Sequence, residues 1–208
     1  MINRFLYLIR HGETSWNAEG KAMGVSDIPL TPKGKRQAKA IGQLLKDYPI
    51  DVIYSSPLGR AQETAKAIHK HHQKIPLFLH DALKERNYGD LEGKTYDDID
   101  KVGAPMVYKT AWYYLDYQPL GGERLLDVLN RAHTFIDQLN STPNGKHIVI
   151  VSHGTFQRVL LCTLLGIKLY DLGDIHFDNA SLSIVDYHPK FKGTLQVVNY
   201  TKHTEDML

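Results

Sequence analysis

The 208-residue sequence holds one cysteine, Cys162, set in the apolar run LLCTLL. A lone thiol excludes an intramolecular disulfide framework and fits a reducing compartment. No apolar run approaches the roughly 20 residues that a membrane helix needs. The N-terminal FLYLI stops at Arg10 after five residues, too few for a signal-peptide core. Like-charged blocks are missing too. The 25 Lys and Arg against 23 Asp and Glu leave a formal charge of +2, no footprint for nucleic acid or for an anionic membrane. The expectation is a cytoplasmic globular protein with neither of those partners. A P-loop, a dinucleotide fingerprint and a G-x-S-x-G elbow are also absent, which sets aside three common catalytic architectures.

What is present is ordinary apolar content, 42% hydrophobic, arranged as short runs between polar helical patterns. A chain of this size can bury roughly 70% of its unfolded surface. RFLYLIR reads as a buried strand, DVIYSS (51–56) as a second, PLFLH (76–80) as a short third, and HIVIVSH (147–153) as the most strongly apolar one. Thr31-Pro32 supplies a cap and a first-turn proline for a helix through GKRQAKAIGQLLKD, and Ser56-Pro57 repeats that start for a helix through Lys70. TFQRVLLCTLL continues the fourth strand as a buried helix, and SLSIVDY with TLQVVNY reads as a closing hairpin across HPKFKG. The pattern predicts an α/β fold: a three-layer α/β/α sandwich around a mostly parallel central sheet. Residues 86–121 break the periodicity and carry Tyr88, Tyr96, Tyr108, Trp112, Tyr113, Tyr114 and Tyr117. They read as a helical cap inserted into a single domain spanning 1–208, since no Gly/Ser or Pro-rich linker occurs.

Two strands run into His-Gly pairs, at His11 and at His153. Ligands of open α/β sheets sit beyond the carboxyl ends of the strands. Both histidines, Arg10, Arg60 and Glu85 fall at that rim. Arginine forks and helix N-termini suit a phosphate or carboxylate. Neutral imidazole can attack phosphorus, and a carboxylic acid can protonate the leaving oxygen. Phosphoryl transfer needs positioning and charge neutralisation above all, which two arginines and two histidines can supply without a metal. Other signals are weaker. His69, His71 and His72 read as the end of a polar helix and not a metal tract; Asp97, Asp98 and Asp100 read as a solvated helix start; Cys162 reads as core.

RHGETSWN, SDIPLTPKG, SSPLGRAQETA, LKERNYGDLEG, GGERLLDV and SHGTFQRVLL, in that order, resemble the histidine phosphatase superfamily, also called the phosphoglycerate mutase-like family. The resemblance covers Phe5 to about Leu165. It implies that His11 is the nucleophile, carrying a phosphohistidine, with Arg10, Arg60 and His153 around the phosphoryl group and Glu85 as proton donor and then base. It implies a substrate site from Asn17, Met23, Gly24, Gly154 and Thr155, a small phosphorylated metabolite as partner, no metal and no cofactor, and suggests a homodimer. Only 36 residues separate Glu85 from Gly122, and the chain ends soon after Tyr200. The broad-specificity phosphatase branch has such a short cap and tail, and LEGKTYDDI looks like it too, whereas LKERNYG looks like the mutases. The alternatives are therefore a bisphosphoglycerate-primed mutase, or a silent phosphate-binding regulator. GKAMG departs from the phosphatase pattern, with Lys21 and Met23 where arginine and glutamine are usual. A lost donor to developing charge can cost about 3 kcal/mol, which bears on the substrate more than on the chemistry.

Overall fold

In a computed structural model the described residues are 3–101, 115–142, 145–168 and 175–205. Tyr108, Trp112, Tyr113 and Tyr114 lie outside them. Six strands form one sheet: β1 (Arg4–Arg10), β2 (Val52–Ser55), β3 (Leu77–Leu79), β4 (His147–Ser152), β5 (Leu182–His188) and β6 (Phe191–Tyr200). Their order is β3-β2-β4-β1-β5-β6. The first four are mutually parallel, and β5 and β6 run antiparallel to their neighbours.

Side-chain alternation along β1 divides the core into two layers. Leu6 and Leu8 pack with Phe135 and Leu139 of α5 (Leu125–Ser141) and with Phe156 and Leu160 of α6 (Gly154–Leu165). Tyr7 and Ile9 pack with Ile41 and Leu45 of α2 (Pro32–Leu45) and with Ala61, Ala65 and Ile68 of α3 (Gly59–His69). The three-layer α/β/α arrangement is therefore present. Within the cap, α4 (Tyr96–Lys101) and a 3₁₀ turn (Gly89–Leu91) pack Tyr88, Leu91 and Ile99 against Ala22.

Thr31 caps α2 as expected, its hydroxyl accepting from Gly34 N at 3.0 Å. The start predicted for α3 is corrected. Ser56 does not cap it: the helix begins at Gly59, and Gly59 N–H donates to the carboxylate of Asp27 at 2.8 and 3.0 Å. A cap lent by a distant loop leaves no local pattern. α5 had no counterpart among the sequence expectations, although Leu125, Val128, Ala132, Phe135, Ile136 and Leu139, all buried, have helical spacing.

Parallel pairing in register brings the two His-Gly pairs together. Arg10 is opposite Ser152 at the last rung of β1 and β4, and His11 N–H donates to Ser152 O at 3.0 Å. His11 and His153 thus leave neighbouring strands side by side.

Candidate active site

Their rings lie 5.1 Å apart between centroids and are 2% and 0% exposed. His11 Nδ1 is 2.7 Å from Gly12 O. A carbonyl only accepts, so Nδ1 carries the hydrogen and the lone pair of a neutral ring is on Nε2. Burial first, then the charges of Arg60 and Arg10, hold His11 well below its ordinary 6.5. The same causes, with burial again largest, depress His153. Gly12 is required by packing: a Cβ there would collide with the carbonyl of Gly34 at the start of α2.

His153 Nε2 faces Ser56 Oγ at 2.8 Å, and Ser56 Oγ also accepts from Leu58 N–H at 3.3 Å. Where Ser56 donates this bond to Nε2, the ring hydrogen lies on Nδ1. His153 Nδ1 is buried without a partner. So are Arg10 Nε and Arg60 Nε. An unmade hydrogen bond on a buried group costs roughly 1–3 kcal/mol, so three such nitrogens beside the His11 ring mark a site suited to a polar ligand.

Arg60 is 0% exposed. Its Nη1 donates to Ser26 O at 2.7 Å and its Nη2 to Gly24 O at 2.6 Å, leaving Nε for another acceptor. Burial pulls its pKa from 12.5 to about 10, against the opposing pull of Glu85, Asp27 and Glu92, so it is a cation at neutral pH. The carbonyls it grips are held in turn by Glu92, whose carboxylate accepts from Val25, Ser26 and Tyr88 N–H at 2.9, 2.9 and 3.3 Å. Gly24 fits between them because it has no side chain, a Cβ meeting Glu92 Oε1 and Arg86 O. Arg10 Nη1 donates to Phe177 O at 2.5 Å.

Glu85 sits at the N-terminus of α6. Oε2 accepts from Thr155 N–H at 2.9 Å; Oε1 accepts from Phe156 N–H at 3.0 Å and from Arg86 N–H at 2.8 Å. The helix end that favours anions thus holds the carboxylate itself. Gly154 keeps the space open: a Cβ there would lie 3.6 Å from Arg10 Nε and 3.9 Å from Glu85 Oε2. Arg131 of α5 fixes the segment before Glu85, its Nη1 donating to Ala82 O and Lys84 O, each at 2.6 Å, and its Nη2 to Glu85 O at 3.0 Å.

His11, Arg10, Arg60, Glu85 and His153 are therefore assembled from β1, α3, the loop after β3, and the end of β4. Thr155 adds its hydroxyl, 2.6 Å from Tyr88 OH. Asn17 stands at the first short helix, α1 (Ser15–Ala18), and its Oδ1 accepts from Thr14 N–H at 3.1 Å. Met23 is buried, Sδ 3.4 Å from Thr14 Oγ1, and presents no polar group. Lys21 Nζ pairs with Glu19 at 2.5 Å. Sequence reasoning assigned no role to Arg131, Glu92, Asp27 and Asn179, although Asp27 lies in SDIPLTPKG and Glu92 in LKERNYGDLEG; their bonds run largely to backbone atoms. His69 and His72 bond the carbonyls of Ile75 and Leu45, and Asp98 pairs with Thr95 and Lys101 at the start of α4. Cys162 is buried. Among the described residues no group of three or more His, Cys, Asp or Glu could hold a metal, and no helix is long and apolar enough to cross a membrane.

Known proteins share this framework. Residues 6–201 match the histidine phosphatase superfamily (branch 1). "Probable phosphoglycerate mutase GpmB" of Salmonella paratyphi A is 33% identical over 182 residues, covering 88% of this chain and 84% of its own length. "Uncharacterized phosphatase PhoE" of Bacillus subtilis (strain 168) is 33% identical over 180 residues, covering 86% of each. The solved alpha-ribazole phosphatase from Shigella flexneri superposes with a TM-score of 0.83 at 30% identity, over 95% of this chain and 96% of that one.

Proposed function

The chain belongs to the histidine phosphatase superfamily, branch 1, and from that membership we propose that it is a metal-independent phosphatase hydrolysing small phosphate monoesters through a phosphohistidine on His11. The observation that carries the reading is the set of three unpartnered buried donors, Arg10 Nε, Arg60 Nε and His153 Nδ1, around a histidine whose Nε2 lone pair is free. The donors neutralise the phosphoryl oxygens. His11 Nε2 attacks phosphorus; the P–N bond forms as the bond to the leaving oxygen breaks, and that oxygen takes a proton from Glu85. Glu85 Oε2 accepts one N–H bond against two on Oε1, which leaves it the freer lone pair for the proton transfers. Glu85 then removes a proton from water, whose oxygen attacks phosphorus. The P–N bond breaks, and phosphate leaves with His11 neutral and Glu85 protonated again.

The names of the relatives divide between phosphatase and mutase. Arg86 favours hydrolysis. A mutase must hold the second anionic group of a bisphosphorylated primer, and two of the three nitrogens of this guanidinium, next to Glu85, are engaged with backbone: Nε donates to Glu123 O at 2.9 Å and Nη2 to Tyr117 O at 2.8 Å, with the group 5.5 Å from the Tyr88 ring centroid. A silent phosphate binder would need neither a nucleophile nor an acid. The test uses purified protein in EDTA with 3-phosphoglycerate and a trace of bisphosphoglycerate, p-nitrophenyl phosphate in parallel, and His11→Ala as control. Phosphate release without isomer, lost in the control, supports hydrolysis. Rapid isomer formation supports the mutase instead.

A further inference from the structure

Residues 175–181, just before β5, pass beside His11. Phe177 O takes Arg10 Nη1, and Ala180 N–H is shared between Arg10 O and His11 O at 3.0 and 3.1 Å. Ala180 adopts φ +57 to do this. A left-handed alanine costs energy that only surrounding structure sustains, and such residues gather at functional sites. Its carbonyl is held in turn by His203 Nε2 at 3.0 Å. Asn179, between these anchors, sends its Nδ2 to His11 O at 3.0 Å and to Asn17 Oδ1 at 3.2 Å.

That second bond completes the coordination of one oxygen. Asn17 Oδ1 also faces Thr14 N–H at 3.1 Å and Thr14 Oγ1 at 3.1 Å. A backbone N–H can only donate, so the atom facing it is the amide oxygen and the Asn17 amide cannot flip. With the oxygen spent on three neighbours, the Asn17 Nδ2 is left as the donor for a phosphoryl oxygen.

Resting on the phosphatase reading above, we propose that Asn179 is a positioning residue of the phosphoryl site, which orients the Asn17 amide as a donor and braces the backbone of His11. The experiment is a double-mutant cycle of Asn17→Ala and Asn179→Ala. It reads kcat and KM with p-nitrophenyl phosphate and the Kd of inorganic phosphate. Alone, Asn179→Ala is expected to lower kcat/KM at least tenfold and to raise KM and the phosphate Kd, which a smaller folded fraction would not move. In the Asn17→Ala background the same change is expected to matter less than about threefold. Equal losses in both backgrounds, or unchanged KM and Kd, would overturn the proposal. Asn179→Asp guards against misfolding: nearly isosteric, it turns an acceptor toward two acceptors, and wild-type rates in that variant would also overturn it. Phosphate binding that couples the two asparagines in a protein without turnover would sink the phosphatase reading and leave this one standing.

Discussion

His11 and His153 are buried as neutral rings among cations, and that has a price in acid. Each is depressed below 6.5 in the folded protein, and His203, lowered mainly by burial, joins them. Below pH 6.5 the unfolded chain takes up protons that the native state refuses, so their contribution to stability is complete above that pH and is lost as pH falls toward the folded values. The thermal midpoint is expected to drop between pH 6.5 and 5, with a shallower slope in His11→Asn. A parallel slope would mean that His11 charges in the folded state. Glu85 has a different signature. Glu85→Gln keeps the shape and removes the transferable proton, so turnover of alkyl esters is expected to fall on the order of 10²–10⁴-fold. Aryl esters, whose leaving groups need little protonation, should lose far less. Equal losses on both would count against Glu85 as the acid.

At the scale of elements, the site is held by parts that contribute no reacting group. α5 supplies Arg131, whose guanidinium collects the carbonyls of Ala82, Lys84 and Glu85 and meets Glu123 at 3.2 Å. Arg131→Ala would strand three part-buried carbonyls, each an interaction with a charged group worth up to about 1.5–3 kcal/mol. The variant is expected to lose several degrees of thermal midpoint and to follow the pattern of Glu85→Gln, alkyl esters suffering most. A uniform loss across both ester classes would assign Arg131 to stability alone. Legibility in the sequence also divides at this scale. β1 and β4 are readable because buried parallel strands are continuous apolar runs, and His11 and His153 because each directly follows one. The start of α3 was misplaced because Asp27 caps it from another loop, while Ser56 looks like a local cap and is instead the partner of His153. Arg131 and Asn179 act largely on backbone N–H and carbonyl groups, which every residue has, so no side-chain pattern announces them; Glu92 lies in the quoted LKERNYGDLEG, but its backbone partners at Val25 and Ser26 are far away in sequence.

At the scale of the whole molecule, anion binding at this site is linked to stability. Three unpartnered donors and two depressed histidines each favour the occupied state. Inorganic phosphate at 100 times its Kd would add about 2.7 kcal/mol to stability. For a chain of this length that is roughly 5–10 °C in the thermal midpoint. The rise should follow phosphate concentration, be larger for a pentacoordinate mimic such as vanadate, and vanish in Arg60→Ala. A phosphate-independent midpoint in the wild-type protein would mean the donors are not the anion site.

The sheet order carries one more consequence, for how the protein is made. β1, the first strand synthesised, lies between β4 and β5, and its pairing partners begin at His147 and Leu182. At 5–20 residues per second a ribosome needs about 7–30 s to travel from His11 to His153. Throughout that interval His11 and its apolar strand have no sheet neighbour. Chaperones that shield extended apolar segments would meet RFLYLIR before its partners are made, and the nascent chain would acquire His153 and then Asn179 only after that interval.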